Sequence, residues 1–465
     1  MAEPLWTSDE ILAATGGRPS GAPFAATGVS IDTRTLEPGD LFVALGGVRD
    51  GHEFVQTALD RGAAGVLASQ TVPGSAVTVS DTLIALEQLG VAARRRAPQT
   101  RRGAVTGSVG KTSVTQAIRA GLTRAGRAHA SVKSYNNHIG VPLTLARMPR
   151  DTERAVFEIG MNHADEIAPL VRMVEPHAVV ITTVAQAHIE NFADGEAGVA
   201  RAKAEIFEGL QPGGVAVLNA DNVWFEFLAK AAKARGAQVL TFGSGPACAA
   251  QLTGFRLDGE GAVVEARLHG AATTFTLRQS GHHWGLMSLA ALLMMQALGV
   301  PLADGLAALA DFQPLEGRGA ERRVSLAGGA FTLIDESYNA NPASVAAALR
   351  TLGLRQTDGR RIVVLTDMLE LGPQSAAYHA ALAGEIEAAN VDLVFCAGPM
   401  MKSLWRALPP TRQGAYAESA EAMEPLLTRA IEPGDLVMVK GSRDSKAKAL
   451  FEALSGLESR SGEAA

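Results

Sequence analysis

Of the 465 residues only Cys248 and Cys396 are cysteines, so no disulfide framework holds this chain, and a reducing compartment is expected. Long apolar runs are lacking as well. The longest, Met287 to Val300, is too short to span a bilayer and reads as a buried helix. The opening residues, MAEPLWTSDE, have no basic region followed by an apolar stretch, so no secretory signal is expected. A formal net charge of −6 offers no basic excess and argues against nucleic acid as a partner. Anionic small molecules remain open, because they need only local cations. The densest basic cluster, Arg94-Arg95-Arg96 with Arg101-Arg102, reads as a solvated helix end and linker. Repeats and low-complexity tracts are missing too. These absences lead to the expectation of a soluble cytoplasmic protein.

Apolar residues make up 47% of the chain, enough for about three domains with their own cores. Residues 1–82 carry strand candidates at Asp40 to Leu45 and Gly65 to Ala68, with a helical stretch near His52 to Arg61. Residues 83–315 alternate strands, at Ala155 to Ile159, Ala178 to Thr182 and Val215 to Asn219, with helical stretches. That pattern predicts a parallel sheet covered on both faces. Leu315-Glu316-Gly317-Arg318-Gly319 reads as a hinge. A second alternating set follows in residues 316–465, with strands at Phe331 to Asp335, Ile362 to Thr366, Leu393 to Ala397 and Leu436 to Val439. The polar tail from about residue 455 is expected to be disordered.

The stretch Thr106-Gly107-Ser108-Val109-Gly110-Lys111-Thr112-Ser113 can hold a nucleoside triphosphate. It follows a short apolar strand, Arg102 to Val105, and precedes a helical stretch, Val114 to Leu122. A glycine turn in that position lets backbone N–H groups curl around phosphate oxygens at a helix N-terminus. Lys111 would reach the terminal phosphates, and the Thr112 hydroxyl would ligate Mg²⁺. The first glycine of the general phosphate-loop pattern is absent, since Val105 stands there.

Ligands bind at the carboxyl ends of strands in open parallel sheets. Glu158 ends one predicted strand, His188 follows the next, and Asp335 ends the first strand of the third segment. A carboxylate and a neutral imidazole near a phosphate loop suit Mg²⁺, which takes few protein ligands and completes its shell with phosphate and water. Each residue alone has a plainer reading: a strand-end carboxylate, a loop histidine, a turn-forming cluster. Their common placement favours a site. Lys203, in Arg201-Ala202-Lys203-Ala204-Glu205, reads from pattern alone as a residue of a solvated helix face.

The short phosphate loop resembles that of the Mur ligases and of their relative, folylpolyglutamate synthase. The likeness runs nearly end to end. Ser30-Ile31-Asp32-Thr33-Arg34, Pro38 to Leu45 and Asp50-Gly51-His52-Glu53-Phe54 are similar to the UDP-sugar-binding domain of that family. Tyr135-Asn136-Asn137-His138-Ile139-Gly140-Val141-Pro142, Thr366 to Gly372 and Val439-Lys440-Gly441-Ser442-Arg443 agree with the D-alanyl-D-alanine-adding branch. Ser337-Tyr338-Asn339-Ala340-Asn341-Pro342 discriminates best, because sister ligases carry a histidine-containing version there.

The resemblance implies an α/β chain of three domains: a UDP-binding domain, a central P-loop ATPase-type parallel-sheet domain, and a C-terminal Rossmann-like domain. It implies addition of D-alanyl-D-alanine to UDP-MurNAc-tripeptide through an acyl phosphate, with ATP and two Mg²⁺ ions, by a monomer acting on small molecules. Thr106 to Ser113, Arg318, Asp335, Asn339 and Asn341 would hold ATP. Thr112 and Glu158 would serve one metal ion and His188 the other, with Lys203 carbamylated by CO₂ in support of the second. Lys111, Glu158, His188 and Lys203 would form the catalytic group. Ser30, Asp32, Thr33, Arg34, Asn136 and Asn137 would bind substrate, with Lys440, Ser442 and Arg443 handling acceptor or peptide carboxylates. In Gly281-His282-His283-Trp284-Gly285-Leu286-Met287 the family's glycine and histidine persist, but Trp284 and Met287 replace asparagines, so Trp284 either stacks on adenine or packs in the core. A sister Mur ligase, a folylpolyglutamate-synthase-like ligase, or an NTP-driven binding switch without ligation are the alternatives.

Overall fold

The computed structural model describes residues 3–458, apart from 48, 133 and 260. Its described residues form three larger sheets and a two-stranded ribbon. The first large sheet orders Arg18–Ser20, Ala76–Thr78, Gly65–Ala68, Asp40–Val43 and Gly28–Ser30 side by side, parallel except for the first pair. The second has nine strands. Arg101–Thr106 sits inside it between Arg154–Glu158 and Ala178–Ile181, with Ala128–Ala130 at one edge. The chain crosses from one side of Arg101–Thr106 to the other, so the phosphate loop stands at a topological switch point, where such sheets open a crevice. The third sheet is parallel apart from the hairpin Ala320–Leu326/Gly329–Glu336.

Strands expected at Ala155 to Ile159, Ala178 to Thr182 and Val215 to Asn219 appear at nearly those bounds, each buried through its centre as a covered parallel sheet requires. The purely parallel expectation for the central domain needs correction. Ala250–Asp258, Gly261–Leu268 and Ala271–Leu277 extend the sheet as an antiparallel meander. Alternation of buried and exposed residues in Thr273 to Leu277 was the available signal. The apolar stretch Met287 to Val300 is helical as far as Ala297, in His283–Ala297, with Leu289 to Met295 inside the central core, and Leu298 to Val300 follow the helix end.

The basic cluster also departs from expectation. Arg95 and Arg101 are exposed, but Arg94 and Arg102 are buried and donate to main-chain carbonyls of Arg172, Val174 and Glu175. Arg96 donates to Leu5 O and Met148 O and lies 3.9 Å over the Trp6 ring, while Trp6 Nε1 donates to Ala146 O. Burial pushes the Arg96 guanidinium down to about 10. Arg94 and Arg102 tie the Thr82–Arg96 helix and the Arg101–Thr106 strand to the end of Ile167–Val174, while Arg96 staples the N-terminal segment to the central domain. The helix Thr82–Arg96 does so too, placing Ala85, Leu86, Leu89 and Ala93 in one cluster with Trp6, Val29 and Leu143.

The last helix, Ala447–Ser455, reaches the start of the expected tail, and Leu457 packs against the core of the third sheet. Residues 459–465 lie outside the described residues. Among the described residues no helix is long and apolar enough to cross a membrane.

Candidate active site

The phosphate loop joins Arg101–Thr106 to the helix Lys111–Ala125. Gly107 (φ 148°) and Gly110 (φ 86°) hold conformations that side chains disfavour, and a Cβ on Gly107 would strike the Thr182 side chain. The loop is tied to the segment after Ala178–Ile181. Ser108 N donates to Thr183 O at 2.8 Å, Ser108 Oγ bonds both Ala185 N and Ala185 O at 3.0 Å, and Thr182 Oγ1 donates to Val109 O at 2.6 Å. Lys111 Nζ donates to Gly107 O at 2.7 Å. Burial lowers the affinity of Lys111 for its proton, Glu158 opposes that, and Arg318 adds to it.

Glu158 ends its strand fully buried, within reach of the loop. Its Oε1 accepts from Ser134 Oγ at 3.0 Å and from Asn136 Nδ2 at 2.7 Å, and Ser134 Oγ is 3.2 Å from Thr112 Oγ1. Glu158 Oε2 is buried without a hydrogen-bond partner, which is costly for a carboxylate unless something positive meets it. Thr112 and Glu158 are therefore brought together as expected, through Ser134, a residue that sequence reasoning missed. Its signal was weak: a serine just ahead of Tyr135-Asn136-Asn137. Asn136 joins this group, but Asn137 does not, since its side-chain oxygen accepts from Ile139 N and Gly140 N ahead of the next helix.

Lys203 overturns the solvated-face reading. It sits in the helix Glu196–Ala204 at 1% exposure. Burial holds its pKa well below the ordinary lysine value, the Lys111 ammonium lowers it further, and Glu205 only partly offsets this. Glu205 itself is engaged by the backbone N–H groups of Asp165, Ile167 and Ala168. Lys203 is thus a buried amine that gives up its proton more readily than an exposed lysine.

His188 adopts φ 59°, the left-handed region, at the end of the segment tied to Ser108. Its Nδ1 lies against the Glu370 carboxylate of the third sheet's domain, a close contact without hydrogen-bond alignment. That contact holds the Glu370 carboxyl below its usual range, against the opposing effect of burial.

Across the same gap, Arg318 Nη2 donates to Thr112 Oγ1 at 3.1 Å, and its guanidinium lies 4.0 Å over the Tyr338 ring. Asp335 is buried with both carboxylate oxygens engaged, one by Gly317 N and the other by Ser337 N and Oγ. It organises the hinge and the following motif. Asn341 caps the helix Pro342–Leu354 in a capping box with Ser344, and Asn339 Oδ1 accepts from Ala340 N. Lys440 is buried, donating to Glu336 Oε2 and Asn339 O, and Ser442 Oγ donates to Ala340 O and accepts from Leu369 N. Arg443 is exposed. In the first domain, Ser30 Oγ donates to Asp32 O, Asp32 pairs with Arg34, and Thr33 O accepts from Arg61.

A crevice between the central and third domains is lined by Gln279, His283, Trp284, Arg318, Glu336 and Met438. Trp284 belongs to both readings offered for it: it lines this crevice, yet at 5% exposure it packs in the central core beside Phe312. Met287 backs the phosphate loop, its Sδ 3.4 Å from where a Cβ on Gly110 would lie.

Comparison with known proteins agrees with this geometry. Residues 105–295 match the Mur ligase middle domain, and residues 322–443 match the Mur ligase, glutamate ligase domain. The UDP-N-acetylmuramoyl-tripeptide–D-alanyl-D-alanine ligase of Bacillus subtilis is 32% identical over 455 residues, covering 96% of each chain. The crystal structure of MurF from Acinetobacter baumannii superposes with a TM-score of 0.85 at 28% identity, covering 97% of this chain and 99% of that one. MurF from Thermotoga maritima, solved in complex with ADP, gives a TM-score of 0.77 at 24% identity over 93% of this chain and 98% of that one, a likeness of fold.

Proposed function

The chain belongs to the UDP-N-acetylmuramoyl-tripeptide–D-alanyl-D-alanine ligases of the Mur family, and from that membership we infer how its residues divide the reaction among them. It is a ligase of peptidoglycan synthesis that joins D-alanyl-D-alanine to UDP-MurNAc-tripeptide at the expense of ATP. In our reading the tripeptide carboxylate attacks the γ-phosphate of ATP, giving an acyl phosphate and ADP. The dipeptide amine then attacks the activated carbonyl, and the tetrahedral intermediate expels phosphate as the amide forms.

The residues around the phosphate loop fit Mg²⁺. Glu158 offers an unpartnered buried oxygen and is joined to the Thr112 hydroxyl through Ser134. A hydroxyl, one carboxylate, phosphate oxygens and water are the donor set that Mg²⁺ takes. Thr112 and Glu158 would hold one ion and His188 a second; bound there, Mg²⁺ would neutralise charge developing on the transferring phosphoryl group.

Lys203 fits carbamylation by the state of its amine. A neutral amine attacks CO₂ through its lone pair, forms an N–C bond and releases one proton, turning a buried would-be cation into an anionic oxygen donor. Burial and the charge of Lys111 ease the loss of the proton that this step requires. Lys111 would carry positive charge to the terminal phosphates. Arg318 would bring a guanidinium fork to the nucleotide phosphates from the third domain. Closure of that domain would exclude water and protect the acyl phosphate.

We assign 1–82 to the UDP-sugar, 83–315 to ATP, and 316–465 to the dipeptide and to closure. Ser30, Asp32, Thr33, Arg34, Asn136 and Asn137 are assigned to the UDP-tripeptide side. Lys440, Ser442 and Arg443 are assigned to carboxylates of the acceptor, with Asp335, Asn339 and Asn341 shaping the nucleotide side of the third domain. The protein is assigned as a cytoplasmic monomer.

The observation that carries these residue roles is the buried, half-satisfied Glu158 beside Thr112. The test is phosphate release measured with and without each substrate. Release that requires both UDP-MurNAc-tripeptide and D-alanyl-D-alanine is expected. Steady hydrolysis of ATP alone would favour a nucleotide-driven switch instead.

A further inference from the structure

Thr366-Asp367-Met368-Leu369-Glu370-Leu371-Gly372 has so far no part in the reaction, yet it supplies the partner of His188. Seven non-glycine residues among those described have positive φ, and two of them, His188 (φ 59°) and Glu370 (φ 62°), face each other across the domain boundary. Left-handed backbone is unfavourable for a non-glycine residue, so it persists where the surroundings impose it. Here both loops hold it at one contact. A second contact lies beside the first: Gly372 (φ 62°) approaches Glu190 so closely that a Cβ there would lie 3.3 Å from Glu190 Cβ.

Both sides of this contact are anchored to motifs assigned to substrates. On the central side, Ser108 of the phosphate loop holds Thr183 and Ala185, three residues before His188. On the other, Leu369 N donates to Ser442 Oγ, which donates in turn to Ala340 O within Ser337 to Pro342. This line from phosphate loop to acceptor motif is hydrogen-bonded on each side and crosses the gap at His188 and Glu370, apart from the Arg318 bridge to Thr112.

We propose that Glu370 is a positioning residue: it orients the His188 imidazole and makes that orientation depend on the third domain being seated, so that the phosphate site is complete only when the acceptor motif is in place. This rests on the reading that His188 serves the phosphoryl-transfer site.

The test compares His188→Ala, Glu370→Ala and the double variant in the full-length enzyme, with small-angle scattering alongside kinetics. Glu370→Ala should lower kcat about tenfold to a hundredfold, the range for removing a partner that orients a ligand, with little change in KM for ATP. The double variant should be no slower than the slower single variant, because the two side chains act as one unit. Scattering from Glu370→Ala without ligands should give a larger radius of gyration than wild type. Unchanged kcat or scattering in Glu370→Ala, or additive losses in the double variant, would overturn the coupling while leaving His188 in the site. Full activity in His188→Ala would instead remove the reading of His188 itself. If the alanine variant unfolds, Glu370→Gln, which keeps the size and removes the charge, bears the same comparison.

Discussion

Arg318 donates to the hydroxyl of Thr112, 206 residues earlier in the chain, at 3.1 Å, while its guanidinium plane lies on the Tyr338 ring. One side chain thus joins the hinge, the phosphate-loop helix and the discriminating motif of the third domain. The stack orients the guanidinium fork, so its charge is delivered to the loop in a set direction.

Removing that fork should cost transition-state stabilisation rather than folding. Arg318→Ala is expected to lower kcat/KM for ATP about a hundredfold or more, with a thermal midpoint close to wild type. Arg318→Lys should recover little, since an ammonium neither stacks as a plane nor donates bidentately. Steady-state kinetics over ATP concentration with all substrates present checks both.

Glu158→Gln separates the charge of this residue from its hydrogen bonds. The amide oxygen can still accept from Ser134 and Asn136, so stability should change by less than about 1 kcal/mol. The charge next to Thr112 is lost, so ligation should fall about a hundredfold or more, with a raised Mg²⁺ requirement. Activity titrated against Mg²⁺ is the measurement; a wild-type titration curve would exclude Glu158 from the metal site.

Lys203 makes opposite predictions for activity and stability. Lys203→Ala should abolish ligation, with partial rescue by short carboxylic acids that supply the missing oxygen donors. In CO₂-depleted buffer Lys203→Met should melt above wild type, because a buried amine is replaced by an apolar chain of similar length. The folded-state pKa lies well below the ordinary 10.5, so between the two values the unfolded chain holds a proton that the folded chain does not. Wild-type stability therefore rises with pH through that window, and the advantage of Lys203→Met shrinks as pH approaches 10.5. Melting curves across the pH range in sealed, degassed buffer measure this.

His129 should contribute to acid sensitivity. Burial pushes its imidazole down to about 4, against the hydrogen bond from Nε2 to Thr144 O at 2.7 Å, which favours the charged form. The unfolded chain takes up this proton below about 6.5 while the folded chain resists until about 4, so stability falls as pH drops through that window. The loss is on the order of 3 kcal/mol at most by pH 4. His129→Gln keeps a donor for Thr144 O and should flatten the decline between those pH values, as followed by urea unfolding.

Much of the fold was legible because it is written in local pattern. The buried runs at Ala178 to Thr182 and Leu393 to Ala397 announce covered parallel strands, and the meander at 250–277 was missed because its half-exposed strands carry only weak alternation. Asn341 and Asn137 show the limit for single residues: placed by motif at ATP and at the UDP-tripeptide, they spend their side-chain oxygens on backbone N–H groups at the starts of helices. Arg94 and Arg96 show it for charge, because a basic run looks alike whether it meets water or main-chain carbonyls of another segment.

By itself, the sequence determined the phosphate loop, its helix and the family, since a tight glycine turn between strand and helix is specified by neighbouring residues. Only the tertiary structure decided that Lys203 lies buried within electrostatic reach of Lys111, that Ser134 connects Glu158 to Thr112, and that Glu370 meets His188. Burial and charge proximity are sums over everything packed around a group, and the groups in question come from segments tens to hundreds of residues apart. No periodicity along the chain carries that information; it exists only once the sheets are packed and the domains meet.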